Sequence, residues 1–116
     1  MVRYARYSPT GSRGVGLARA HGYGMRFSEY LESANDQVAV IVQVEHIEAV
    51  ESIEEIVKIE GIDGIMLGPY DLSASLGKMG QLDDPTVVEA ISKVPRACQS
   101  ASMPIGVFGV SAESVL

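Results

Sequence analysis

Two apolar rhythms alternate along the chain. Val38-Ala39-Val40-Ile41-Val42 is unbroken and mostly β-branched, which predicts a strand buried on both faces, as in a parallel sheet. Polarity returns at Gln43-Val44-Glu45. Ile47, Val50, Ile53 and Ile56 or Val57 then fall at helical spacing among Glu48, Glu51, Glu54, Glu55 and Lys58. This predicts an amphipathic helix of about four turns, ended by Gly61. Ile62 to Leu67 reads as a second buried strand, closed by Gly68-Pro69. Residues 70–83 read as a long loop with one helical turn around Leu72–Leu76. Asp84-Pro85 opens a helix, with Asp as N-cap and Pro at the first helical position. Val87, Val88, Ile91, Val94 and Cys98 form its stripe, and Pro95 inside it predicts a kink or break. Pro104 to Val110 reads as a third buried strand, and Ser111-Ala112-Glu113 as the start of one more helix.

Before these elements the rhythm is absent. Residues 1–25 are rich in Gly, Arg, Ser and Tyr and read as a loop, with turn chemistry at Ser8-Pro9-Thr10-Gly11. Residues 26–34 predict a short helix ending near Asn35. The order β-α-β-loop-α-β-(α) is that of an α/β fold with a parallel sheet and right-handed crossovers. It divides the chain into a basic, Gly-rich segment at 1–34 and about three βα units at 35–116. A complete (β/α)8 barrel needs roughly 200 residues or more, and the chain has 116.

Composition narrows the class. Hydrophobic residues make up 47% and charged residues 21%, which excludes a disordered or fibrous chain. Cys98 is the single cysteine, so no internal disulfide forms; it reads as a small buried apolar residue in a reduced, cytoplasmic setting. No apolar run approaches the roughly 18 residues of a membrane span. The N-terminus has no apolar signal core. Net charge is −6, unevenly placed: residues 1–34 balance to +3 and the remainder to −9. The basic stretch is short and the whole is acidic, which argues against nucleic acid as a partner. Docking of the basic arm on an anionic surface of a partner subunit fits better.

Two carboxylates stand where strands end. Glu45 closes the first, and Asp71 lies just past Gly68-Pro69 after the second. Ligands of parallel α/β folds gather at the carboxyl ends of strands. Neighbouring strands lie about 4.8 Å apart, so two such side chains can converge on one ion. Carboxylates with few other ligands suit Mg²⁺ or Mn²⁺, with water and a chelating substrate completing the octahedron. There is no Cys/His cluster for zinc. Gln43 shares a strand face with Glu45, two residues away, and can reach the same site. In Gly68-Pro69-Tyr70-Asp71 the glycine admits close backbone approach, and the opening N–H groups of a short helix can hold a carboxylate. The glycines at 11, 14 and 16 follow no buried strand and make no dinucleotide loop. His46 reads as a surface histidine at a helix start, and His21 stands alone.

Gln43-Val44-Glu45, Glu60-Gly61-Ile62-Asp63-Gly64 and Gly68-Pro69-Tyr70-Asp71-Leu72-Ser73, in this order, resemble the HpcH/HpaI aldolase family. So does Tyr7-Ser-Pro-Thr-Gly11-Ser-Arg13-Gly14-Val-Gly16-Leu-Ala-Arg19-Ala20; the likeness covers about residues 4–110. It implies a partial TIM barrel of the phosphoenolpyruvate/pyruvate superfamily, corresponding to the C-terminal portion of such an enzyme. It also implies class II, metal-dependent cleavage of 4-hydroxy-2-oxo acids to pyruvate and an aldehyde, in a homo-oligomer. By resemblance Glu45 and Asp71 match the metal ligands, for Mg²⁺ or Mn²⁺, with Co²⁺ as a further candidate. The Gly68, Pro69, Tyr70 and Asp71 backbone would bind the carboxylate of a pyruvate- or oxaloacetate-like 2-oxo acid, with Gln43 nearby. The metal would chelate that acid and stabilise its enolate.

The match is incomplete. The family's arginine and its histidine–aspartate pair lie on strands that would precede residue 1, so the proton-transfer residues are expected to be missing and the isolated chain inactive. Tyr70 stands where alanine is common. Two alternatives remain: a non-catalytic half-barrel that works by pairing, with a second copy or with a missing N-terminal half, or a citrate-lyase β-like or phosphoenolpyruvate-mutase-like lyase.

Overall fold

The computed structural model describes residues 1–111. The chain forms two compact units, Met1–Val40 and a second beginning at Ile41. The expected helix start at 111–113 falls largely outside the described residues.

In the first unit the stretch read as loop holds a helical turn, α1 (Val2–Ala5), and a 3₁₀ segment (Arg19–Gly24), followed by α2 (Phe27–Gln37). Local pattern misses α1 because it is only four residues long and buries none of them. Asn35 ties the unit together. Its Oδ1 accepts the Tyr7 amide at 2.7 Å, and its Nδ2 donates to the Tyr7 carbonyl at 3.0 Å. The Arg6 guanidinium donates to the Asn35 and Val38 carbonyls at the end of α2. Helix ends carry such unsatisfied carbonyls and favour a cation. Arg13 lies over the Tyr7 ring, 4.6 Å from its centroid. Two arginines of the supposed docking arm are thus engaged within the unit itself.

His21 is buried and lies edge-on to Phe27 and Tyr30. Both ring nitrogens are engaged: Nε2 lies 2.5 Å from the Gly16 carbonyl oxygen and 3.2 Å from the Ala18 amide nitrogen, and Nδ1 accepts the Gly24 amide at 3.1 Å. It is a staple of the 16–24 turn.

The second unit is a parallel three-stranded sheet in the order β1 (Ile41–Val44), β2 (Gly64–Leu67), β3 (Ile105–Val107). Between the strands lie α3 (Ile47–Glu51), α4 (Ile53–Ile56), α5 (Pro69–Ser75) and α6 (Pro85–Ser100). The α/β expectation holds, but β3 is shorter than the expected 104–110 strand and is not buried: Ile105 and Val107 are exposed, because among the described residues β3 is an edge strand with no neighbour on its outer side. Three further corrections concern β1 and the helices. First, β1 is buried on one face only: Val42 and Val44 are buried, while Ile41 and Gln43 are exposed. Helices cover that one face, where Val42, Val44, Ile65 and Leu67 meet Val50, Ile53, Val57, Ala90, Val94 and Cys98.

Second, the four-turn helix is broken at Ser52 into α3 and α4. Glu48, Glu51, Glu54 and Glu55 stand three or four residues apart, so like charges oppose a continuous helix. Third, Pro95 does not break α6. Val94 and Cys98, fully buried on either side of it, anchor both halves to the sheet, and Pro95 itself faces outward. The helix start at Asp84-Pro85 is as expected, with the Asp84 carboxylate accepting the Thr86 amide at 2.9 Å.

Candidate functional site

The strand register sets the site. Gln43 pairs with Met66, and Val44 with Leu67, so the first residues after both strands emerge side by side. The Gly68 amide donates to the Val44 carbonyl at 3.0 Å, and the Phe108 amide to Leu67 at 2.9 Å; both ladders run one step beyond the strands. Glu45 and Gly68 are thereby neighbours at the carboxyl edge of the sheet. Gln43 Nε2 donates to Glu45 Oε2 at 2.6 Å, which charge assistance favours. This is the only hydrogen bond to the Glu45 carboxylate among the described residues.

Gly68 caps α5, with Pro69 in its first turn and Asp71 as the acid of that turn. An acid there complements the helix dipole. The structure brings Gln43, Glu45 and Gly68 together. Asp71 is exposed and makes no hydrogen bond to them. The Gly68 amide is committed to Val44, and Pro69 has none to offer. Of the expected carboxylate cradle, the Tyr70 and Asp71 amides are left to donate, since they open the helix. The Tyr70 side chain is half exposed and its ring lies against Gly80.

Sequence reasoning missed two serines that hold α5 in place. Ser73 Oγ donates to the Tyr70 carbonyl at 2.6 Å and accepts the Gly80 amide at 2.9 Å, fully buried. Ser75 Oγ donates to Leu72 at 2.7 Å and accepts the Ile47 amide at 3.0 Å. A serine bonding back to its own helix is a local habit, but its second partner lies far along the chain. His46 is, as expected, an exposed helix-start residue, whose Nδ1 accepts the Glu48 amide at 3.3 Å. A broad groove lies between α3–α4 and α6, bordered by Ile53, Val57, Lys93 and Arg96, and it contains none of the candidate site residues. Among the described residues no three His, Cys, Asp or Glu side chains gather in a metal-binding group, and no helix is long and apolar enough to cross a membrane.

The description of the HpcH/HpaI aldolase/citrate lyase family matches residues 1–114. The chain is 43% identical over 109 residues to a 4-hydroxy-2-oxo-heptane-1,7-dioate aldolase of Shigella sonnei, covering 92% of this chain and 41% of that protein. It is 37% identical over 118 residues to a hydroxypyruvate/pyruvate aldolase of Paraburkholderia phytofirmans, covering 97% of this chain and 45% of that one. Among solved structures it resembles an HpcH/HpaI aldolase/citrate lyase family protein from Burkholderia cenocepacia, with a TM-score of 0.86, 42% identity, and coverage of 97% of this chain and 46% of that one. The chain therefore spans less than half the length of these relatives. The three parallel strands and their helices are βα units of a TIM-barrel-type fold.

Proposed function

The chain belongs to the HpcH/HpaI aldolase/citrate lyase family, and on that premise we propose that it carries the metal- and carboxylate-binding part of a 2-oxo-acid aldolase site. The observation that carries this reading is the Gln43–Glu45 pair set against Gly68 at the carboxyl edge of a parallel sheet. Among the described residues one Glu45 carboxylate oxygen has no protein partner, and Gly68 presents no side chain against the Gln43–Glu45 pair. Asp71 stands at the opening of α5 next in the chain. This donor set fits a hard divalent cation, Mg²⁺, Mn²⁺ or Co²⁺, with Glu45 and Asp71 as its protein ligands and water as the remainder. When bound, such an ion supplies Lewis-acid stabilisation of negative charge developing on the substrate.

The chain's own residues do the rest of this part. The Tyr70 and Asp71 amides, beside Gly68 and Pro69, bind the carboxylate of a pyruvate- or oxaloacetate-like acid. Gln43 orients Glu45. The substrate class is the 4-hydroxy-2-oxo acids, cleaved to pyruvate and an aldehyde. Among the residues assigned here none accepts or delivers a proton at the scissile bond, so the 116-residue chain assayed alone turns over little or no substrate.

The test is titration of the purified chain with Mn²⁺, followed by pyruvate or oxalate, alongside an assay of pyruvate release from a 4-hydroxy-2-oxo acid. Metal binding that strengthens the binding of the 2-oxo acid, with negligible turnover, is the expected result. Robust metal-dependent release of pyruvate by this chain alone overturns the expected inactivity, and turnover that persists in a chelator overturns the metal site.

A second reading rests on a different observation. The sheet face away from the helices exposes Ile41 (59%) and, one residue past β3, Phe108 (65%) stands exposed. β1 and β3 are both edge strands among the described residues. Such edges and apolar surface favour pairing. In this reading the chain functions as a homo-oligomer or with a complementary half-barrel. Light scattering decides: a stable monomer at high concentration removes it.

A further inference from the structure

Gly68 has φ −108° and ψ 84°, a conformation open to any L-residue. Its lack of a side chain therefore answers a spatial need rather than a conformational one. A Cβ built at this position would stand 3.1 Å from the Glu45 Cβ, 3.2 Å from Gln43 Nε2 and 3.4 Å from Glu45 Oε2. Carbon–carbon contacts settle at roughly 3.5–4.0 Å. The added methyl would press on the hydrogen bond between Gln43 and Glu45 from one side. The Glu45 Cβ cannot retreat without its backbone, which the Gly68–Val44 hydrogen bond holds to the neighbouring strand. The Gln43 amide is the mobile partner, since its side chain is exposed.

We infer that Gly68 is a positioning residue: its missing side chain keeps the Gln43 amide locked on Glu45 Oε2, so that Oε2 is occupied by protein and the other oxygen, Oε1, is turned to a ligand. Gln43 then acts through Glu45 rather than on the substrate. This deepens the site reading proposed above and rests on it for the ligand, while the lock itself is a property of the protein without ligand. Gly64 provides the control. It opens β2, the strand that Gly68 follows, yet a Cβ there would meet Pro104 and Ile41 only at ordinary distances of 3.5–3.8 Å.

The experiment compares the wild-type chain with Gly68→Ala, Gln43→Ala, the double variant and Gly64→Ala, by ¹⁵N–¹H spectra and by Mn²⁺ titration. In the wild type one proton of the Gln43 side-chain amide is shifted downfield by the carboxylate. Gly68→Ala abolishes that shift while the α6 backbone resonances stay in place; Gly64→Ala retains it. Mn²⁺ affinity falls at least tenfold in Gly68→Ala and in Gln43→Ala, and the double variant is no worse than either alone. A Gln43 amide unmoved by Gly68→Ala overturns the inference whatever the metal does. So does strictly additive loss in the double variant. If Gly68→Ala fails to fold, the wild-type spectrum and Gln43→Ala carry the test: a Gln43 side-chain amide at its free position in the wild type overturns the lock, and retained Mn²⁺ affinity in Gln43→Ala overturns its positioning role. A wild-type chain that shows the amide shift but binds no Mn²⁺ overturns the proposed metal site and leaves the lock standing.

Discussion

Ser75 Oγ accepts the amide of Ile47 at 3.0 Å, joining the last turn of α5 to the first turn of α3. The bond satisfies one of the orphan donors of α3 from a helix 28 residues away in sequence. It also fixes α5, whose opposite end carries Gly68 and Asp71. Ser75→Ala should lower the unfolding free energy by about 1–2 kcal/mol, the ordinary cost of losing such a cap. Urea unfolding followed by circular dichroism measures it. An unchanged midpoint would show that water replaces the hydroxyl without loss.

Pro95 runs through α6 without ending it, and this leaves the Ile91 carbonyl without its i+4 amide donor. Replacing Pro95 by Ala restores the donor at an outward-facing position where no packing is disturbed. The gain is reduced by the added freedom of the unfolded chain. Pro95→Ala is expected to stabilise the fold by about 2 kcal/mol. A lower denaturation midpoint would mean that a bend at Pro95 is needed to seat Val94 and Cys98.

Much of this was readable in the chain. Asp84-Pro85 marks a helix start by local chemistry alone, and the structure obeys it. The two-residue spacing of Gln43 and Glu45 places both on one strand face, and the observed hydrogen bond follows. What the chain conceals depends on distant partners. Val38 to Val42 looks buried on both faces because apolar runs do not say how many layers cover them; the helices cover one. Asn35 looks like a helix stop, and nothing local announces its paired bonds to Tyr7. Gly68 reads from the sequence as a glycine that admits a ligand to the backbone; that the Gln43 and Glu45 side chains press against it is set by strand register and is invisible locally.

The Lys78 ammonium donates to Asp84 Oδ1 at 2.7 Å and to Thr86 Oγ1 at 2.9 Å. That hydrogen bond, joined by one from the Thr86 hydroxyl, holds the Asp84 carboxyl far below the usual carboxylate range. A depressed folded-state pKa stabilises the fold above the unfolded value of about 3.9 and is lost as pH falls below it. Stability should therefore hold steady from neutral pH to about pH 5 and decline through pH 4 and 3. In Lys78→Met the decline should be shallower, because less is left to lose. Equal slopes in the two proteins, measured by urea midpoints at each pH, would assign the acid sensitivity to other carboxylates.

Cys98 is fully buried between α6 and the sheet, and burial pushes its thiol above the ordinary cysteine value. The thiolate is the reactive form, so the folded chain should resist alkylation. Because the unfolded chain releases the proton at lower pH than the folded one, this group adds nothing to pH dependence at neutrality. It costs stability only as pH rises past about 8.5. With a maleimide in excess, labelling at pH 7.5 should therefore follow opening of the α6 packing and accelerate steeply with urea. Ala90→Gly, which thins the same core and weakens α6 by about 1 kcal/mol, should speed labelling several-fold in the absence of denaturant. Rapid labelling of the native chain, insensitive to urea and to Ala90→Gly, would show that Cys98 is reached without opening the core.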